Sequence, residues 1–191
     1  MNLENQLLQF EETGWLKAGV HDCSLEMLRK LTFTNPHRQN LGGKLLKFLR
    51  WPVQMGAFQQ VYIGGGFLTN LPSPQDVDVI LETRAPFGPE AFGAIQPFFL
   101  MGLDEIVEVF AVHLHFWMEG APKALADYRS FFQYQRPLNR DGFDSKRKGI
   151  VRLSLSSEHF GASLESAHCI EQGRQFGGTT VRQENSQCAA A

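Results

Sequence analysis

Apolar residues recur in two rhythms along the chain, and the change of rhythm marks the elements. In "TNPHRQNLGGKLLKFLR", Leu41, Leu45, Phe48 and Leu49 fall on one face at helical spacing. Asn35 before Pro36 supplies the cap and the first-turn proline of that helix. Ser24 ahead of "LEMLRKL", with Glu26 in the first turn, predicts a shorter helix before it, reached through "GWLKAGVHDCS", which reads as loop. Gly42 and Gly43 interrupt the longer helix at about 1 kcal/mol each relative to alanine, which predicts a neighbour packed close to that turn. The rhythm then shortens to two. A strand is predicted over 60–63 and another over 76–81, with Val77, Val79 and Leu81 opposite Asp76, Asp78 and Ile80. A helix over 89–107, a strand over 111–117 ("AVHLHFW"), a helix opening at Pro122 and a last strand in "KGIVRLSL" complete the pattern.

These elements describe an α+β fold, a mixed sheet of three to five strands with helices mainly on one face. Residues 1–155 form one domain. From Ser156 to the end, Ser, Gly, Gln and Glu replace the periodic apolar residues, which predicts a mobile or loosely docked tail over 156–191. Composition adds little to this except in two places. Sixteen phenylalanines predict a core rich in aromatic contacts, and a formal charge of -2 argues against nucleic-acid binding driven by bulk charge. No run reaches the roughly 20 apolar residues that span a bilayer, and the acidic start "MNLENQLLQFEETG" lacks the order of a signal peptide. Cys23, Cys169 and Cys188 are odd in number and far apart, so a reducing cytoplasm is the expected location.

The stretch "YIGGGFLTNLPSPQDVDVILET" carries the candidate chemistry. Gly64, Gly65 and Gly66 close an apolar strand, and glycines in such a turn let backbone N–H groups approach a phosphate. Asp76 and Asp78 project from one face of the next strand. Two neighbouring carboxylates repel unless a cation lies between them, and the hard oxygen donors suit magnesium, which also bridges to phosphates.

A strand ending in paired glycines, about ten residues, then D-x-D on the following strand resembles the DNA polymerase beta-like nucleotidyltransferase superfamily. An uncharacterised bacterial branch of it is similar in order over "GWLKAGVHDCS", "FTNPHRQNL", "VYIGGGFLTNLPSPQDVDVIL", "YRSFFQ" and "KGIVRLSL", residues 10 to 155. The resemblance implies a nucleotidyltransferase-like sheet that binds a nucleoside triphosphate, ATP foremost, with Mg2+. Gly64, Gly65, Gly66 and Thr69 would hold the nucleotide and Asp76 and Asp78 the metal. It also implies nucleotidyl transfer to a hydroxyl of a protein or another acceptor. Two departures stand out. Gly66 occupies a position where the family has serine, and the third carboxylate that serves as base in active members has only Glu108 to fill it. The next strand offers His113 and His115 instead.

Simpler readings accompany each of these residues. The glycines can be a plain turn, the aspartates an N-cap and a strand-end charge, and Glu108 a solvated helix-end residue. His113 and His115 share a strand face, as a metal pair or as ordinary surface residues. His21 and Arg38 fall in the N-terminal pattern either as substrate contacts or as capping and packing residues. The run Lys146, Arg147, Lys148, with Arg140 and Arg152 near it, is either a surface for an acidic partner or RNA, or a solvated turn. A second function from another class is a catalytically inactive, antitoxin-like module that binds or inhibits a protein.

Overall fold

A computed structural model describes residues 8–123, 127–134 and 147–156. In chain order the elements are β1 (Gly19–Asp22), α1 (Leu25–Thr32), α2 (Pro36–Met55), β2 (Phe58–Gly64), a 3-10 turn (Gly65–Leu68), β3 (Val77–Thr83), α3 (Pro89–Met101), α4 (Leu103–Phe110), β4 (Val112–Trp117), α5 (Tyr128–Phe132) and β5 (Gly149–Ser154). The strands form one five-stranded mixed sheet in the order β1-β5-β2-β3-β4. β1 and β5 run parallel, as do β3 and β4, while β2 is antiparallel to both its neighbours. The architecture is α+β, as the alternating rhythms predict.

Period two decides what each sheet face buries. Val61 and Ile63 of β2, Val77, Val79 and Leu81 of β3, Val112 and Leu114 of β4 and Val151 and Leu153 of β5 join one core with Leu28 of α1, Leu45, Phe48 and Leu49 of α2, Phe98 of α3 and Ile106 of α4. Full burial of each such aliphatic side chain stabilises the fold by roughly 1.5–3 kcal/mol. The expected aromatic core is present and centres on Phe98, which meets Phe48, Trp51, Phe58 and Phe116. Among the described residues the opposite face meets the short α5. There Tyr62, Ile80 and Ile150 pack with its Phe132.

Local signals explain the helices that the pattern predicts. Ser24 Oγ accepts from Met27 N–H and Asn35 Oδ1 accepts from Arg38 N–H, so both caps are made. A β-carbon on Gly42 would lie 2.2 Å from the Phe33 ring, which is the close neighbour expected of an interrupting glycine; Gly43 faces open space. α2 runs on through Pro52 to Met55 and stops at Gly56 in the left-handed region, φ 66°.

Several boundaries differ from the sequence expectation. The helix expected to open at Pro122 does not: Pro122 and Lys123 are not helical, and α5 starts at Tyr128, capped by Asp127. "GWLKAGVHDCS" is not all loop: Gly19–Asp22 pairs with β5, a register that no local signal in a four-residue strand could supply. The predicted helix over 89–107 is two helices, broken at Gly102, whose φ of 95° a right-handed helix cannot contain. The second of them absorbs "DEIVEVF" and ends at Ala111, itself at φ 54°. Glu108 therefore belongs to a helix and is exposed there. β3 begins at Val77, which leaves Asp76 on the last residue of the incoming loop. The tail from 157, Arg140, Lys146, Cys169, Cys188 and part of the helix expected after Pro122 lie outside the described residues. Among the described residues no helix is long and apolar enough to cross a membrane.

Candidate nucleotide site

The pairing of the three strands sets out a row across the sheet. Gly64 at the end of β2 is the cross-strand partner of Asp78, and Asp78 is the partner of His113 on β4. The glycine turn, the second aspartate and the first histidine thus stand side by side, although 49 positions separate Gly64 from His113 in "GGGFLTNLPSPQDVDV…VHLHF". The row borders a cavity of about 460 Å³, lined by Gly65, Gly66, Asp76, Asp78, His113 and His115 on the sheet side. Gly64, expected with them to hold a nucleotide, does not line it; a β-carbon there would meet Phe132 at 3.4 Å. Trp15, Tyr128, Phe131 and Phe132 provide aromatic walls, and Lys148 a cation. A volume of that order suits a ligand the size of a nucleotide.

Gly65 has two reasons to be glycine. Its φ is 72°, and a β-carbon there would lie 2.2 Å from Oδ2 of Asp78. Backbone and carboxylate pack directly against each other. Gly66 is different: a β-carbon would meet nothing nearer than Pro74 at 3.6 Å, so the serine of the resembling family has room here. Thr69 does not line the cavity. It is buried, its hydroxyl donates to the Gly66 carbonyl at 2.8 Å and accepts from Leu71 N–H at 3.1 Å, and so it braces the turn from behind.

The N-terminus of α2 holds the connection from the turn to Asp76. Arg38 is 2% exposed and gives its guanidinium to three backbone carbonyls: Thr32 at 2.7 Å, Leu71 at 2.5 Å, and Phe67. Asn35 donates from its amide to the Pro72 carbonyl at 2.9 Å, and His37 Nε2 lies 2.7 Å from the Pro74 carbonyl. The charge of Arg38 meets these carbonyl dipoles and the Phe67 ring, 5.3 Å from its centre, and burial lowers its pKa. Of the two readings open for Arg38, packing is the one its geometry fits. His21 likewise turns to the backbone, with Nε2 2.7 Å from the Lys17 carbonyl, and does not line the cavity.

The imidazoles occupy distinct settings. His113 Nε2 stands 3.1 Å from Asp76 Oδ2, with the two side chains 47% and 39% exposed, so they form a solvated pair. His115 lies against the Tyr128 ring, centroids 4.0 Å apart, with Phe132 at its edge. Burial depresses its pKa, and the charge of His113 depresses it further. Glu108, expected as a third acid, faces a second cavity instead and does not line the first. α4 carries it away from the aspartates because the strand begins four residues later than it.

Trp15 belongs to the site and was not singled out by the residue pattern; Lys148, read there only as part of a basic run, belongs to it too. Trp15 pairs with Thr69 in an isolated bridge, and the Lys148 ammonium lies 5.0 Å from its ring centre. Position 149 explains how they converge. A β-carbon on Gly149 would lie 2.3 Å from the Lys17 carbonyl and 2.8 Å from Leu16, so the N-terminal segment crosses β5 there with no room for a side chain. The motif "KGIV" reports that crossing.

Among the described residues no group of three His, Cys, Asp or Glu side chains is placed to hold a metal unaided. Asp76 and Asp78 nevertheless fit magnesium, which characteristically takes one or two carboxylates and completes its shell with water and substrate phosphate. Neither a curated protein nor a solved structure matches the chain. A family described as "Family of unknown function (DUF6932)" matches residues 8–154, a span that contains every residue of the site, and the chain belongs to that family.

Proposed function

We propose that the cavity binds a nucleoside triphosphate with magnesium and that the chain transfers a nucleotidyl group to an acceptor hydroxyl, in the manner of a nucleotidyltransferase. The observation that carries this reading is the cross-strand row Gly64–Asp78–His113, which sets Gly65, Gly66, Asp78 and His113 around one aromatic-walled cavity with Lys148. The backbone at Gly65 and Gly66 approaches phosphate oxygens, Lys148 offers them a positive charge, and Trp15, Tyr128 and Phe131 offer faces for a base. Magnesium, when bound, would be held by Asp76 and Asp78 and would offset charge on the phosphates.

The transfer is an in-line exchange. The acceptor oxygen bonds to the α-phosphorus, the bond from that phosphorus to the bridging oxygen breaks, and pyrophosphate leaves. The hydroxyl proton passes to Nδ1 of His113, and Asp76, beside Nε2, steadies the imidazolium that forms. A carboxylate is the base in the resembling family; here an imidazole takes the place.

A second reading, an inactive binding module, draws on one observation: beyond Asp76 and Asp78 no carboxylate lines the cavity among the described residues. Isothermal titration with Mg-ATP, Mg-GTP, Mg-CTP and Mg-UTP, followed by incubation with α-phosphate-labelled triphosphate, separates the two. Binding with label transferred supports the enzyme. Binding without transfer, or no binding of any nucleotide, overturns the enzyme and favours the protein-binding module.

A further inference from the structure

The second cavity, about 380 Å³, touches His113, Leu114 and His115 together with Leu103, Asp104, Val107 and Glu108. Successive side chains of a strand point to opposite faces of the sheet. A cavity that meets three in a row therefore lies off the strand's edge. β4 is the last strand of the sheet, and among the described residues none pairs with its outer side. The direction of its peptide groups follows from the bond Val77 N–H to Ala111 carbonyl, 2.9 Å, and the register Val77↔Val112. In that register the N–H and C=O groups of His113 and His115 point to β3, and those of Val112, Leu114 and Phe116 point outward.

Unpaired edges invite another strand, and proteins blunt them with lysine, proline or a bulge. "VHLHFW" has no lysine or proline, and β4 pairs with β3 in unbroken register. We propose that this edge is the docking surface for an extended, basic segment of an acceptor protein. The segment adds beside β4 as a sixth strand and presents a hydroxyl side chain to His113. Main-chain bonds to Val112, Leu114 and Phe116 would hold it, and the alternating side chains would set its preference. On the α4 face, Leu103, Val107 and Leu114 suit an apolar residue. Asp104 and Glu108 suit lysine or arginine and repel a nucleic-acid backbone, because no lysine or arginine lines this cavity among the described residues. On the other face the neighbours are His113 and His115, which line both cavities, so a hydroxyl there stands at the entrance to the nucleotide site. The fate of the hydroxyl rests on the proposed nucleotide function; docking does not.

The test is fluorescence anisotropy of a labelled nine-residue peptide, serine alternating with valine and lysine so that valine and lysine share the α4 face and serine the other, titrated with the full chain without nucleotide. Saturable binding is expected, weakened roughly tenfold or more by the exposed pair Asp104→Lys and Glu108→Lys. N-methylating alternate peptide residues should abolish binding in one phase and spare it in the other, since only every second N–H faces the edge. Mg-ATP titration of the same double variant should match the parent, which keeps a failed nucleotide function distinct from a failed dock. No saturable binding, or binding indifferent to charge reversal and methylation phase, overturns the proposal. So does slow amide exchange at Leu114 in the free chain, which would mean that the chain itself or a second copy already covers the edge.

Discussion

Gly65 and Asp78 are in contact across the β2–β3 pair, so close that a β-carbon on Gly65 would lie 2.2 Å from the Asp78 carboxylate. The turn and the acid are one structural unit. Gly65→Ala should therefore lower stability by at least the roughly 1 kcal/mol of a left-handed alanine, plus whatever moving Asp78 costs, and should abolish nucleotide binding. Gly66→Ser, where space exists, should leave the melting temperature within error and tighten Mg-nucleotide binding. Melting curves and titration calorimetry on the two variants check this; equal tolerance of both would disprove the coupling.

The aspartates repel each other unless a cation lies between them. Replacing both with asparagine should abolish Mg-nucleotide binding while the melting temperature stays level or rises. The solvated Asp76–His113 pair lost in the exchange is worth no more than about 1 kcal/mol. A large drop in melting temperature, with no nucleotide bound by the parent, would assign the pair a structural role instead.

Arg38 serves three carbonyls from a buried position. Arg38→Met keeps the stem and leaves those carbonyls without a donor, so a loss of about 3 kcal/mol is expected, a fall of roughly 6–12 °C for a domain of this size. Arg38→Lys should recover only part of it, because one ammonium cannot reach three diverging acceptors. Thermal unfolding of the two variants is the measurement, and an unchanged melting temperature in the methionine variant would contradict the clamp.

His115 carries a pH dependence whose sign is fixed. Its folded pKa lies below the ordinary 6.5, so between the two values the unfolded chain binds more protons. Its contribution is fully present above the unfolded pKa and declines as pH falls below it toward the folded value. His115→Gln should flatten the fall in stability between pH 7.5 and pH 5 seen in urea melts. An identical slope in parent and variant would place the dependence elsewhere.

What the sequence determined by itself was local. Period-two runs located β2, β3, β4 and β5, caps at Ser24 and Asn35 located α1 and α2, and the spacing of apolar residues assigned the core face, because each signal is written within a few residues. The glycine turn and the two aspartates were legible for the same reason. Tertiary structure decided the rest. Strand order placed His113 beside Asp78, Gly102 turned one helix into two and carried Glu108 away from the site, and the crossing at Gly149 brought Trp15 and Lys148 together. Arg38, open to two readings in the sequence, became a clamp only once residues 67–74 folded over it. Proximity between distant segments is set by how faces pack and by which strand lies at the edge, and no short stretch of chain encodes either.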